Sequence, residues 1–588
     1  MVNDSFGAAF GRLVKRKRAE MRLTQGQLAE SVWPNDANAA QTRKPDMSKL
    51  ENGKIANPQT TTVERIAKAL EIPPAEIDEL RRQAQMSPQE QLDAVPTLSR
   101  NQLELLASRF ELERAFDRSD RELRGFLEQK AEEYREYRAQ IDGLDDRIPA
   151  IHNLKGAAQE AAARLDFDEV EALLSRVDEV ETEIAAETKE ARARNALLRG
   201  RPEQAATLLT AAADAFASVD PLEVGRRRDR YASQLYWHGL RYGGTGLLLA
   251  VEMWRSALTA LTEADHLVDW ATTMQNLALA LQQQGTRSGG AEGAALLGEA
   301  VESYRSALRV RIEADHPVDW AMTMQNLAIA FQEQGARTGG VEGVGLLDDA
   351  VESYHAALRV RTEADHPMDW AMTMQNLGNA LAEQGTRTGE AEGAGLLGDA
   401  VESYRAALRV RTEADHPVNW AMTMQNLAGA LQEQGKRTGG SAGAALLGEA
   451  VESCRAALRA FTEADHPVNW AITTQNLAGA LKEQGTRTGG LAGSALLEKA
   501  VESYHAALRV RTEADHPMQW AITRENMALL ELAHADHDTC TDPRPHLEAG
   551  LAHVTAALTV YDPEHMPYDH GTATALRDSL AARLAALE

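Results

Sequence analysis

The sequence predicts an all-α chain built mainly as a solenoid of helix pairs, and three observations carry that prediction. A fifty-residue unit recurs almost word for word. His316–Asp365 (HPVDWAMTMQNLAIAFQEQGARTGGVEGVGLLDDAVESYHAALRVRTEAD) has counterparts opening at His266, His366, His416 and His466, and its first half returns at His516. Each copy holds two runs with apolar residues at helical spacing, and neither run can bury its stripe alone, so neighbours must stack. Upstream, helix formers dominate from Ser99 to Asp142 without a proline. At 588 residues the chain is several domains or one elongated array, and a fixed period decides for the array.

Composition narrows the classes. Two cysteines, Cys454 and Cys540, cannot make a disulfide framework, which points to a reducing compartment. No apolar run reaches membrane-spanning length and no signal-peptide core opens the chain, so a cytoplasmic protein without membrane contact is expected. Charge is uneven. Residues 1–85 hold 14 Lys/Arg against 11 Asp/Glu, whereas the whole chain stands at −26. The acidic body would repel nucleic acid, so only the N-terminal module could favour it.

Taken in order, Ser5–Arg22 predicts a first helix, with Phe6, Phe10, Leu13, Val14 and Met21 as its stripe beside the basic run Lys15–Arg18. Leu23–Ala29 opens a second, N-capped by Thr24. Met47–Lys54 and Asn57-Pro58 follow, then an amphipathic helix over Thr61–Leu70 that ends before Pro73-Pro74. The order and spacing of LTQGQLAE, MSKLENGK, the proline four residues after Lys54, and VERIAKALEI resemble the lambda-repressor-like (XRE) helix-turn-helix family. The resemblance covers about 75 residues of a module set at 1–82. One departure is the segment Trp33–Lys44, several residues longer than that family's turn.

The resemblance implies binding of double-stranded DNA. Arg43, Lys44, Asp46, Ser48 and Lys49 would lie on or beside the recognition helix, reaching base edges in the major groove. Thr24 and Gln25, at the start of the second helix, and Lys54 with Asn57, after the third, would hold phosphates. Leu28, Met47, Leu50 and Ile66 would be core. The competing reading is a helical bundle whose basic face meets protein. The small excess of positive charge suits a dimer reading two half-sites.

Residues 83–150 form the connector. Met86–Pro96 reads as a linker. Leu123, Leu127, Tyr134, Tyr137, Ile141, Leu144 and Ile148 recur at coiled-coil-like spacing, so a homodimer paired through residues 99–148 is one expectation. A helix packed along the repeats is the other. Gly143 and Pro149 would end or bend that helix.

The solenoid divides into degenerate units at 151–265, five near-identical repeats at 266–515, and a half repeat with capping helices at 516–588. Within 316–365, Pro317–Gln334 predicts the first helix, Gly335–Gly343 a loop and Leu346–Arg361 the second helix. The small and large residues Asn326-Leu327-Ala328, Phe331, Gly335, Ala350, Tyr354 and Ala357 resemble the tetratricopeptide repeat signature in order. That resemblance implies a right-handed superhelix. Upstream, Arg164–Val177, Ala191–Phe216 and Tyr231–Leu261 read as weaker units.

Four candidate sites follow. In tetratricopeptide proteins the position of Asn276, Asn326, Asn376, Asn426, Asn476 and Asn526 faces a groove that clamps peptide, with Gln275, Gln325, Gln375, Gln425 and Gln475 beside it. The plain alternative is an asparagine bonding across adjacent helices. The Gly-x-Arg-[Ser/Thr]-Gly element with Arg287, Arg337, Arg387, Arg437 and Arg487 could hold an anion, but a tight turn fits better without a preceding strand. The Asp-His-Pro runs with Trp270, Trp320, Trp370, Trp420, Trp470 and Trp520 fit helix capping and packing. His534, His537, Cys540 and His546 have zinc-compatible types and spacing, set against a solvated loop; no metal or cofactor is assigned. No nucleophile, base and oxyanion donor converge, so no enzyme is expected. The two resemblances together imply a bacterial transcriptional regulator whose solenoid senses or docks a peptide or protein. The alternative is an interaction scaffold that recruits a partner enzyme in bacterial signalling or defence.

Overall fold

A computed structural model describes the chain from Phe6 to Leu587, apart from residues 35, 37, 53, 56–57, 86–87, 111, 113–117, 143–147, 164–166 and 564–565. Among the described residues all regular structure is helical, and the chain forms two compact units, Met1–Thr262 and Glu263–Glu588.

The first unit opens with α1 (Phe6–Glu20), α2 (Gln25–Val32), α3 (Ala39–Thr42), α4 (Lys44–Glu51), α5 (Thr60–Ala69) and α6 (Pro74–Gln85). Thr24 caps α2 through a reciprocal box with Gln27. Phe10, Leu28, Met47, Leu50 and Ile66 form one buried core. Gly11 is required where α1 meets α4, because a Cβ there would lie 1.9 Å from Leu50 O. The long segment before α4 is not an open loop. It holds α3, with Ala39 fully buried and Asp36 accepting from the Asn38 amide at 3.1 Å.

The rest of this unit is α7 (Pro88–Asp93), α8 (Arg100–Arg109), α9 (Asp120–Asp142), α10 (Ile148–Ala163), α11 (Phe167–Leu198), α12 (Pro202–Asp214), α13 (Pro221–Tyr242) and α14 (Gly246–Ala257). The linker expected at Met86–Pro96 is instead α7 and a 3₁₀ turn, because Leu92 and Val95 have an apolar pocket to fill. They share a core with Leu103, Leu106, Leu123 and Leu127. Leu123 and Leu127 are therefore consumed within the chain, which removes the N-terminal part of the expected dimer seam; the side chains of Tyr137, Ile141, Leu144 and Ile148 lie outside the described residues. The single helix α11 runs from the first expected weak unit into the second.

The second unit contains α15 (Leu267–Arg287), α16 (Gly290–Leu308), α17 (Pro317–Arg337), α18 (Gly340–Leu358), α19 (Pro367–Arg387), α20 (Glu390–Val410), α21 (Pro417–Arg437), α22 (Gly440–Ala460), α23 (Pro467–Thr488), α24 (Gly490–Ala507), α25 (Pro517–Ala535), α26 (Arg544–Ala557) and α27 (Pro567–Ala585). Each repeat is an α-hairpin that packs on the next. Proline opens α17, α19, α21, α23 and α25 where its missing N–H has no partner to lose. Tyr304, Tyr354, Tyr404 and Tyr504 are almost fully buried in one core that runs between repeats; Cys454 takes the same position in the fourth repeat.

The Gly335–Gly343 loop expected from sequence is far shorter. The helices run through its two ends and leave only Thr338 and Gly339 between them. The glycines serve close approach rather than flexibility. A Cβ on Gly335 would lie 3.0 Å from Gly343 O, and one on Gly343 would lie 2.0 Å from Thr338 O.

Candidate nucleic-acid interface and repeat groove

In the head, α4 buries Met47 and Leu50 and turns Pro45, Lys49 and Asn52 outward, with Ser48 half-exposed beside them. Lys44, Lys49 and Lys54 are exposed, and Asp46 is half-buried. Arg43 stacks on the Trp33 ring at 5.4 Å, between Asp36 at 3.7 Å and Asp46 at 3.6 Å. Thr24 is occupied as the α2 cap. Gln25 is not free for phosphate: its amide donates to Glu51 Oε2 at 2.6 Å. Glu51, 5% exposed, also accepts from Arg18 Nε at 2.6 Å, so one carboxylate ties α1, α2 and α4 together. Sequence reading missed this tie; an acidic residue inside a basic module was its only trace. Asn57 lies outside the described residues.

In the repeats, Asn326 shares a half-exposed stripe on α17 with Met322, Ile329 and Glu333, at offsets of four, seven and eleven. Equivalent stripes hold Asn276, Asn376, Asn426 and Asn476. Asn426 donates to Asn379 Oδ1 at 3.0 Å, the cross-helix bond that the plain alternative expected. Glu333 carries a shielded oxygen without a partner, and burial pushes its carboxyl up from the ordinary range.

The glutamines beside the asparagines are not groove residues. Gln325 Oε1 accepts from Arg361 Nη1 at 2.6 Å and lies 2.6 Å from Thr373 Oγ1 of the next repeat. Gln375 makes the same joint with Arg411 and Thr423. Arg361 and Arg411 are each 5% exposed, and burial lowers both guanidinium pKa values. Position 461 departs from the rule: Phe461 stands there, fully buried against Ala421 and Ala457.

In the Gly-x-Arg elements the arginines at 337, 387, 437 and 487 are engaged by the chain's own carbonyls. Arg387 reaches back and donates to three carbonyls of the preceding repeat, Gly335 O at 2.7 Å, Ala336 O at 2.7 Å and Thr338 O at 3.1 Å. Arg337 and Arg437 repeat the pattern. The tryptophans carry a surface ladder: Arg359 lies 5.1 Å from the Trp320 ring centroid and pairs with Glu313 at 2.8 Å. The His516-type residues occupy N-cap positions without a side-chain cap bond.

At the C-terminal end, His534 and His546 stack at 4.9 Å, and His546 Nδ1 meets Glu531 at 2.7 Å. His537 is buried against Gly493, where the earlier repeats place an arginine. Among the described residues no three His, Cys, Asp or Glu side chains are grouped to hold a metal.

This architecture defines the class: an all-α protein whose repeats are tetratricopeptide-like helical hairpins in a solenoid. No family model and no characterised protein matches the chain by sequence. Among solved structures it is similar to the apo form of the quorum sensor NprR from B. thuringiensis, at 13% identity over 62% of this chain and 100% of that one, with a TM-score of 0.27. It is also similar to NprR in complex with its cognate peptide NprX, at 14% identity over 64% and 99%, with a TM-score of 0.24. The P58(IPK) TPR domain aligns at 12% identity over 73% and 99%, with a TM-score of 0.19. No helix is long and apolar enough to cross a membrane among the described residues.

Proposed function

We propose that the protein is a DNA-binding transcriptional regulator whose solenoid docks an extended peptide or protein segment. The observation that carries the reading is the outward face of α4, where Lys44, Lys49 and, just beyond, Lys54 stand exposed while the opposite face is fixed in the core. A short helix held this way, with cations on its free face, suits a phosphate-lined groove. The repeats support the docking half. Their half-exposed stripes combine Met322, Met372 and Met422 with an asparagine and with Glu333, Glu383, Glu433 and Glu483, on a unit holding 24 Lys/Arg against 45 Asp/Glu. Such a surface favours a segment rich in hydrogen-bond donors and positive charge.

The test is operator selection with the full chain, followed by anisotropy titrations across salt. Lys44→Ala and Lys49→Ala should each weaken binding and lower the salt slope by about 1. Absence of any selected sequence at moderate salt overturns the regulator reading. The scaffold reading draws on the neutralisation of Arg43 by Asp36 and Asp46, which lowers the field of that face. Recovery of a discrete protein partner by a head lacking DNA affinity would favour it.

A further inference from the structure

The unit Met1–Thr262 contains a cavity of about 730 Å³ bounded by α9, Phe110 and Leu112 beyond α8, the start of α12, and the end of α13 with the turn after it. Cavities of this size hold drug-sized molecules. Three aromatic rings form its apolar wall. Phe126 meets Phe110 edge-on at 6.3 Å and Tyr242 edge-on at 5.8 Å.

Two buried polar side chains line it. Lys130 is 1% exposed, with Nζ 3.9 Å from the Tyr242 ring centroid and 3.0 Å from Glu133 Oε2. Glu133 also accepts from Tyr242 at 2.6 Å and from Arg241 at 3.0 Å. One carboxylate thus serves two cations, and the cluster keeps one net positive charge. His238 is 9% exposed; neither ring nitrogen makes a hydrogen bond of ordinary geometry, and the Leu197 backbone faces the ring at longer range. A buried imidazole so weakly satisfied is costly unless a ligand completes its hydrogen bonding. Burial, with Lys130 beside it, pushes His238 down to about 4, against the pull of Glu133, the Leu197 backbone and Glu203; the ring is neutral near pH 7 and carries one donor and one acceptor. Two further wall carboxylates, Glu122 and Glu203, keep their charge, with Arg118 acting on Glu122, so the positive charge is local to Lys130 and Arg241. Glu122 accepts from the Ser119 amide and hydroxyl, each at 2.7 Å, and Glu203 accepts from Thr245.

The backbone keeps the space open. Gly125 sits inside α9, where glycine weakens a helix, yet a Cβ there would meet nothing within 4 Å. Packing gives no reason for it. Gly243 and Gly244, at φ +74° and +67°, also line it, with equally empty surroundings.

We propose that this cavity binds a small organic anion with a flat apolar body, of the aromatic carboxylate class. The body would lie against Phe110, Phe126 and Tyr242, and the acid group would take the Lys130 ammonium and the His238 N–H. The site is separate from the α4 face and from the repeat stripes, and it stands whether or not those bind DNA or peptide.

The experiment is calorimetric titration of the full chain with 1-naphthoate and with 1-naphthamide, its neutral isostere. Naphthoate should bind with a Kd at or below about 1 mM, and the amide at least about tenfold more weakly. Gly125→Trp should abolish naphthoate binding, whereas Gly125→Ala should retain it; should the tryptophan variant melt abnormally, Gly125→Leu serves in its place. His238→Phe should weaken naphthoate more than naphthamide. Equal affinity for acid and amide, naphthoate binding that survives a bulky residue at Gly125, or no binding by about 10 mM each overturns the proposal.

Discussion

Replacing Arg387 by alanine isolates what joins one repeat to the next. Its guanidinium donates to the Gly335, Ala336 and Thr338 carbonyls at the C-terminal end of α17, where Gly335 O otherwise has only the Thr338 amide at 3.1 Å. The side chain is 27% exposed and also pairs with Glu383 at 2.7 Å. A hydrogen bond to a charged group contributes about 1.5–3 kcal/mol when fully shielded. A cation at a helix C-terminus adds about 0.3–1 kcal/mol. The freed carbonyls sit at a helix end and regain water, so the three bonds do not sum. The expected loss for Arg387→Ala is about 2–3 kcal/mol. Arg387→Lys should recover less than half of it, since one ammonium cannot span the three acceptors as the planar fork does. Urea unfolding reads the total, and native-state hydrogen exchange places it at the α17–α19 joint. Adding Arg487→Ala, which clamps the turn at Lys436 and Thr438, should be additive, whereas adding Arg437→Ala should not, because Arg437 holds the Gly385, Thr386 and Thr388 carbonyls on either side of Arg387. A loss below about 0.5 kcal/mol, or full replacement by lysine, would refute the clamp.

Three further outcomes follow from particular contacts. Gly378→Ala would set a Cβ 2.8 Å from Tyr404 Cε1 and drive the ring from its bond to Asn379, costing about 1–3 kcal/mol by thermal melting. Adding Ala382→Gln should recover part of that loss, since Tyr354 bonds Gln332 at the equivalent place. Glu51→Ala should destabilise the head by about 2–4 kcal/mol, because Arg18 and Gln25 both lose their acceptor; melting of the head monitored by circular dichroism checks it. His238 is held at about 4 against an ordinary 6.5, so the unfolded chain binds the extra proton first. Its stabilising effect is complete above about pH 6.5 and falls as pH drops toward 4, by at most about 3 kcal/mol. His238→Phe should flatten that part of the stability-against-pH curve of the first unit.

The sequence by itself determined the all-α class, the hairpin repeat and the helix starts at Pro317 and its counterparts, because period and proline position are local signals. Thr24 as a cap was equally legible, since its partner lies three residues away. Contacts about fifty residues apart were not. Arg387 reads as part of a glycine loop until the preceding α17 is placed beside it. Gln325 reads as a groove residue until Arg361 and Thr373 converge on its carbonyl oxygen. Leu123 and Leu127 carry a coiled-coil spacing that is the same whether the partner is a second chain or the chain's own α7 and α8. Only the tertiary structure decided among these, because a side chain's role depends on which neighbour desolvates it and which acceptor it reaches. For the same reason the cavity around Lys130 and His238 has no motif: its walls come from three helices and the turns beside them, and no stretch of sequence contains more than a part of them.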